Sequence, residues 1–178
     1  ALKIKTIFDN LLTVNRSKFN VLVATGIFPP EIGGPATYAQ FLIDARDKIG
    51  INPVTVTYGT GKTKQDYNVS VVDNSLPKRQ RYNTYRRVLI EKIKTSQIKI
   101  IYAVDSSLGV AGIAGITAKF AKAKLIIRIT GDYAWEQGRQ RFGIIDGIDD
   151  FQTRRYSFRA EAFRSLTRLT ARQADQVI

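Results

Sequence analysis

The sequence predicts an α/β domain: a Rossmann-like, doubly wound, mainly parallel sheet with helices on both faces. Three observations carry that expectation. Five short runs rich in β-branched and apolar residues alternate with longer stretches of helical periodicity, the pattern of repeated βαβ units. The first run, Phe19 to Thr25, is apolar almost throughout, as a strand buried on both faces is. Finally, 44% of the 178 residues are apolar, enough for one domain with a proper core.

The elements follow in order. Ala1 to Lys18 carries Leu2, Ile7, Leu11 and Val14 at roughly helical spacing and reads as a short amphipathic helix, packed on its own domain or lying on a membrane surface. After the first strand, Gly26 to Pro35 holds three prolines and three glycines and must be a loop. Pro35 suits a first helical turn, and the helix runs to Ile49, where Gly50 stops it. Pro53 to Tyr58 and Tyr67 to Val72 are the second and third strands; their short link leaves an irregular crossover or an antiparallel pairing open. A helix from about Pro77 puts Tyr82, Tyr85, Leu89 and Ile93 on one stripe. Ile98 to Val104 is the fourth strand. A small-residue helix, Ser107 to Ala123, follows, its Gly109, Gly112 and Gly115 predicting close packing on the sheet. Leu125 to Thr130 is the fifth strand, Gly131 to about Asp150 a long loop, and Phe151 to Ala174 the longest helix, with Phe158, Ala162, Leu166 and Leu169 turned inward. Val177 and Ile178 begin a sixth strand. Right-handed crossovers and doubly wound order are the default topology.

Composition excludes much chemistry. The chain has no Cys and no His, so disulfides, thiolate metal sites and every Ser-His or Cys-His nucleophile are ruled out. No metal site is expected. Lacking Met, the chain is expected to begin at a processed or trimmed end. No apolar run approaches the ~20 residues that span a bilayer, and Asp9, Asn10, Asn15 and Arg16 break any signal-peptide core. A cytoplasmic location is expected, with the inner membrane face as a peripheral one. The 28 Lys and Arg against 15 Asp and Glu give +13, which implies anionic partners: nucleotide phosphates, nucleic acid or an anionic membrane. Two basic clusters stand out, Lys78 to Arg87 with Tyr82 and Tyr85 interleaved, and Arg154 to Arg172, where Arg164, Arg168 and Arg172 recur every four residues.

Ligands of open α/β sheets bind beyond the carboxyl ends of the strands. Three connections leave those ends with unusual residues: Gly26 to Pro35, Asp105-Ser106, and Gly131 to Gly143. Gly33-Gly34 stands directly before a helix start, where bare backbone and free N–H donors suit a phosphate; a plain structural turn is the competing reading. Gly59 to Thr63 (GTGKT) only imitates a phosphate loop, since the position needing the first glycine is Val56 and no helix follows. In TGDYAWEQGRQRFG, Asp132 and Glu136 lie beside the only Trp and two arginines. Rings stack on apolar sugar faces while carboxylates bind hydroxyls. Against this, Trp135 could fill core and Asp132 could cap the next helix.

Three stretches, FPPEIGGPATYAQFL (Phe28 to Leu42), LIIRITGDYAWEQGRQRFG (Leu125 to Gly143) and the terminal ARQADQVI, occur in an order and spacing in which the chain resembles glycosyltransferase family 4, enzymes of the GT-B architecture. The resemblance covers Asn20 to Ile178. It implies one half of a GT-B fold: 1–19 as an N-terminal amphipathic extension, and 20–178 as the Rossmann-like N-terminal, acceptor-binding domain. The facing C-terminal domain, which binds most of the nucleotide-sugar, is absent from this chain and would be supplied in cis or in trans. The family implies retaining transfer, no required metal and no cofactor, with a UDP- or GDP-linked sugar as donor and a glycan or lipid-linked acceptor. By resemblance, Gly33 and Gly34 approach the donor diphosphate. Where many members carry a His after the fifth strand, this chain has Gly131-Asp132. The expected site therefore has Asp132 and Glu136 as catalytic carboxylates on sugar hydroxyls, with Tyr38, Trp135, Arg139, Asp105 and Ser106 on the acceptor side. The family's acidic Glu-x7-Glu signature is missing, so the chain alone is expected to be inactive. The alternative is a non-catalytic basic module that binds an anionic membrane or, less in keeping with the sequence, nucleic acid. A nucleotide-dependent oxidoreductase is disfavoured by the missing dinucleotide fingerprint.

Overall fold

A computed structural model describes Thr6 and residues 18–60 and 68–178. The proposed N-terminal amphipathic stretch lies, Thr6 and Lys18 apart, outside the described residues, as do 61–67, with most of the GTGKT turn. Six strands form one sheet: β1 (Phe19–Ala24), β2 (Ile51–Gly59), β3 (Val69–Asp73), β4 (Ile100–Ala103), β5 (Lys124–Ile127) and β6 (Gln176–Val177). Their order is β3-β2-β1-β4-β5-β6 and every pairing is parallel. The β2–β3 link thus returns in parallel, closing the question its shortness had left open. This is the doubly wound order, whose direction reverses between β1 and β4.

Two apolar layers follow from the pleat. Alternate residues of β1 point to opposite faces: Leu22 and Ala24 join one core, Val21 and Val23 the other. The second face is covered by α1 (Gly34–Asp44) and α2 (Arg46–Ile49). These replace the single helix expected over Pro35 to Ile49; the chain breaks at Ala45, and Gly50, at φ 80, takes the left-handed turn that ends α2. The first face is covered by α3 (Lys78–Thr95), which buries Tyr85, Leu89 and Ile93, and by α4 (Ile113–Ala121), entered through a wide π-type turn at Leu108–Gly112. The glycines of that turn and helix pack against neighbouring helices, not on the sheet. A Cβ on Gly109 would lie 3.0 Å from the Tyr82 hydroxyl, on Gly112 3.7 Å from Thr170 Oγ1, and on Gly115 2.3 Å from Gln173 Oε1.

The stretch expected as a long loop is mostly helical: α5 (Tyr133–Phe142) and α6 (Ile148–Thr153). Asp132 caps α5, its carboxylate accepting the Trp135 N–H at 3.0 Å, and Gly143, at φ 66, ends it. Gly138 hides the periodicity because it is buried, where a Cβ would lie 2.9 Å from Ile144. Phe151 belongs to α6, so the last helix, α7 (Phe158–Arg172), is shorter than α3. Its inner face is also not the expected one. Ala160, Arg164 and Thr170 are buried, whereas Phe158, Leu166 and Leu169 are 87%, 51% and 54% exposed, and Ala162 is exposed beside them. Gly112 and Gly115 admit Thr170 of α7 and Gln173 just past its end, and Arg164 is tolerated inside because Glu161, at 2.9 Å, and the Phe151 carbonyl receive its donors. Among the described residues no helix is long and apolar enough to cross a membrane.

Candidate functional site

At the point where strand order reverses, the ends of β1 and β4 are stitched together by Asp105. One carboxylate oxygen accepts the Gly26 N–H at 2.7 Å; the other accepts the Ser107 N–H at 3.0 Å and the Ser107 hydroxyl at 2.5 Å. Desolvation pushes the Asp105 carboxyl above the usual range, and the Ser107 and Gly26 donors pull against it. Gly26 is needed for this approach, since a Cβ there would sit 2.9 Å from the carboxylate. Beneath them the fully buried Tyr85 donates to the carbonyls of Thr25 and Val56, each 3.1 Å away. Tyr58 stacks on Tyr85, with centroids 4.4 Å apart, and donates to the Gly109 carbonyl at 2.6 Å. Burial pushes both phenols upward, so both remain hydrogen-bond donors.

On this floor opens a cavity of about 260 Å³, walled by Glu31, Tyr58, Arg81, Tyr82, Ser107 and Tyr133. Arg81 is pinned there: it donates to the Asn74 carbonyl at 2.7 Å, and its guanidinium lies 5.6 Å and 5.9 Å from the Tyr58 and Tyr82 ring centroids. A second, more apolar cavity of about 340 Å³ lies beyond the ends of β4 and β5, between α5 and α7, with Ser106, Ile129, Asp132, Tyr133, Thr167 and Arg168 in its wall. Tyr133 borders both. The polar cavity offers aromatic faces, a fixed cation and a carboxylate in one small space, a set suited to a hydroxylated ring or an anionic group. Among the described residues no cluster of side chains could hold a metal ion.

The site residues expected from sequence are spread over three places. Asp105, Ser106 and Asp132 lie at the strand ends, Ser106 and Asp132 in the wall of the apolar cavity. Asp132 also serves as helix cap and accepts from the Gln152 amide. Trp135 packs on a small core of Ala134, Ile144, Phe151 and Ala160 and donates its indole N–H to the Asp146 carbonyl at 3.0 Å; Arg139 covers its ring at 5.2 Å. Glu136 is exposed on the first turn of α5 and lines neither cavity. Tyr38 lies on the other face of the sheet, its hydroxyl 3.0 Å from that of Tyr102 and its ring 4.0 Å beneath the Arg128 guanidinium. Gly33 and Gly34 open α1 just beyond β1, on the carboxyl rim, with no side-chain cap and no acidic residue in the first turn. Gly34 is exposed with open space where a Cβ would be, but the pair lies outside the walls of both cavities. Sequence reasoning missed Glu31, Tyr58 and Arg81 as wall residues. The available signal was Tyr58 ending the second strand and Arg81-Tyr82 within a basic cluster.

No known protein-family profile and no curated protein matches the sequence. In structure the chain is similar to a crystal structure, at 2.2 Å resolution, of a Listeria monocytogenes protein provisionally assigned as a UDP-N-acetylglucosamine 2-epimerase. The TM-score is 0.56 at 14% identity, over 91% of this chain and 39% of that one. The likeness is one of fold. This chain spans well under half the length of its neighbour.

Proposed function

We propose that this chain is the acceptor-side domain of a retaining, sugar-nucleotide-dependent glycosyltransferase that transfers a hexose to a glycan or lipid-linked acceptor. The carrying observation is the polar cavity at the strand-order reversal, where Tyr58, Tyr82 and Tyr133 surround a pinned Arg81 opposite Glu31. Ring faces there meet the C–H side of a sugar, while Glu31, Asn74 and Ser107 reach its hydroxyls. The provisional assignment of the structural neighbour to a UDP-sugar reaction supports a sugar-nucleotide role. In this reading the N–H groups opening α1 at Gly33-Gly34 face the leaving UDP or GDP diphosphate once a donor domain, in cis or in trans, delivers it. Asp132 and Glu136 contact sugar hydroxyls, and Tyr38, Trp135, Arg139, Asp105 and Ser106 serve the acceptor. Front-face transfer needs no protein nucleophile, because the departing phosphate takes the acceptor's proton. A chain without His or Cys can host it.

Saturation-transfer NMR with free hexoses, UDP-hexose and GDP-hexose tests the proposal. Tyr82→Ala and Arg81→Ala should each weaken sugar binding about five- to tenfold, as loss of one aromatic or cation contact does. Unchanged binding in both variants, or no sugar binding at all, overturns the assignment.

A further inference from the structure

We propose that the outer surface of the α3–α4–α7 layer docks on an anionic lipid bilayer. α3 and α4 cover one face of the sheet, and α7 lies beside them against the turn that enters α4. The Arg86 guanidinium of α3 lies 5.5 Å from the Phe120 ring of α4, and Gly112 and Gly115 admit Thr170 and Gln173 beside α4. Turned away from the sheet are large apolar side chains: on α4 Ile116 and Phe120, 47% and 73% exposed, and on α7 Phe158, Leu166 and Leu169. The last three, with Ala162, form the stripe whose spacing had predicted a core-facing surface.

Cations rim this apolar ground. Arg79, Arg86 and Arg87 stand exposed on α3, Lys119 on α4, and Arg159, Arg168 and Arg172 on α7. None of them pairs with a carboxylate among the described residues. Exposed arginines from both basic clusters thus lie on neighbouring helices together with the exposed Phe and Leu side chains. That combination identifies the partner. A bilayer surface offers phosphate to the cations and a headgroup–acyl boundary into which apolar side chains sink about 5–10 Å. A nucleic-acid duplex would answer the arginines but leave the leucines in water. A second copy would press one cationic face against another, in a chain already at +13.

Co-sedimentation with vesicles tests the inference, independently of any sugar chemistry. Phosphatidylglycerol-containing vesicles should bind the chain, phosphatidylcholine vesicles hardly, and added salt should weaken binding. Arg86→Gln with Arg172→Gln should reduce partition about thirtyfold, each basic residue near such a surface contributing about equally. Phe120→Ser with Leu169→Ser should also reduce it at constant charge, with circular dichroism confirming the fold. Each of these results overturns the proposal: equal binding to both vesicle types, serine variants that bind like the parent, tighter binding to duplex DNA than to vesicles, or self-association through this face in sedimentation velocity.

Discussion

Gly26 and Asp105 show how little room the strand-order reversal leaves. The carboxylate adds a further link beyond the backbone pairing of β1 and β4, at a distance that a Cβ on residue 26 would crowd. Gly26→Ala should therefore destabilise the fold by about 1–3 kcal/mol, the usual cost of overpacking. Thermal denaturation checks this, and an unchanged melting temperature would mean that the turn relaxes freely. The same pair shows what was readable from residues alone. Asp105 and Ser106 were marked by their place after an apolar run, because a polar residue ending a buried strand has few other uses. Tyr58, Arg81 and Glu31 were not, since they converge from three separate elements and only the sheet order brings them together. Of the two readings of Asp132 and Trp135, the geometry shows the structural roles directly: one caps α5, the other packs on a minor core.

Among the elements, the strands were legible and α7 was not. Strands declared themselves through β-branched runs bounded by glycine and polar residues, and the bounds of each fall within a few residues of that expectation. For α7, periodicity marked Phe158, Ala162, Leu166 and Leu169 as inner, yet the buried face is Ala160, Arg164 and Thr170. Periodicity finds the most apolar stripe, whereas here the inward face is set by Thr170 against Gly112 and by the hydrogen bonds that satisfy Arg164. Exchange on the two faces tests this: Leu169→Ser should shift stability by no more than about 0.5 kcal/mol, whereas Thr170→Leu should cost about 1–3 kcal/mol. At the sheet edge, β6 is held by Asp175, which accepts from Lys124 at 2.7 Å and from the Leu125 N–H at 2.8 Å. Burial opposes ionisation there, but these two donors outweigh it and hold the carboxyl below its usual range. A depressed folded-state pKa contributes stability above the unfolded value and loses it as pH falls through the folded one. The stability of the parent should thus decline on acidification below about pH 4, and Asp175→Asn should flatten that part of the profile in denaturant titrations.

Taken whole, the molecule carries its excess of 13 positive charges on one small domain. Self-repulsion of this kind is screened within about 10 Å at 0.1 M salt. The melting temperature should consequently rise between low and moderate ionic strength, a trend scanning fluorimetry can follow; a fall would show that the few ion pairs outweigh the net charge. Tyr133 has a last implication at this scale. It is a party wall between two hollows, one polar and one greasy, and a ring cannot lean both ways at once. A guest that displaced this ring from one hollow would reshape the other, and the two occupancies would then be linked, each altering the affinity of the other by the same factor.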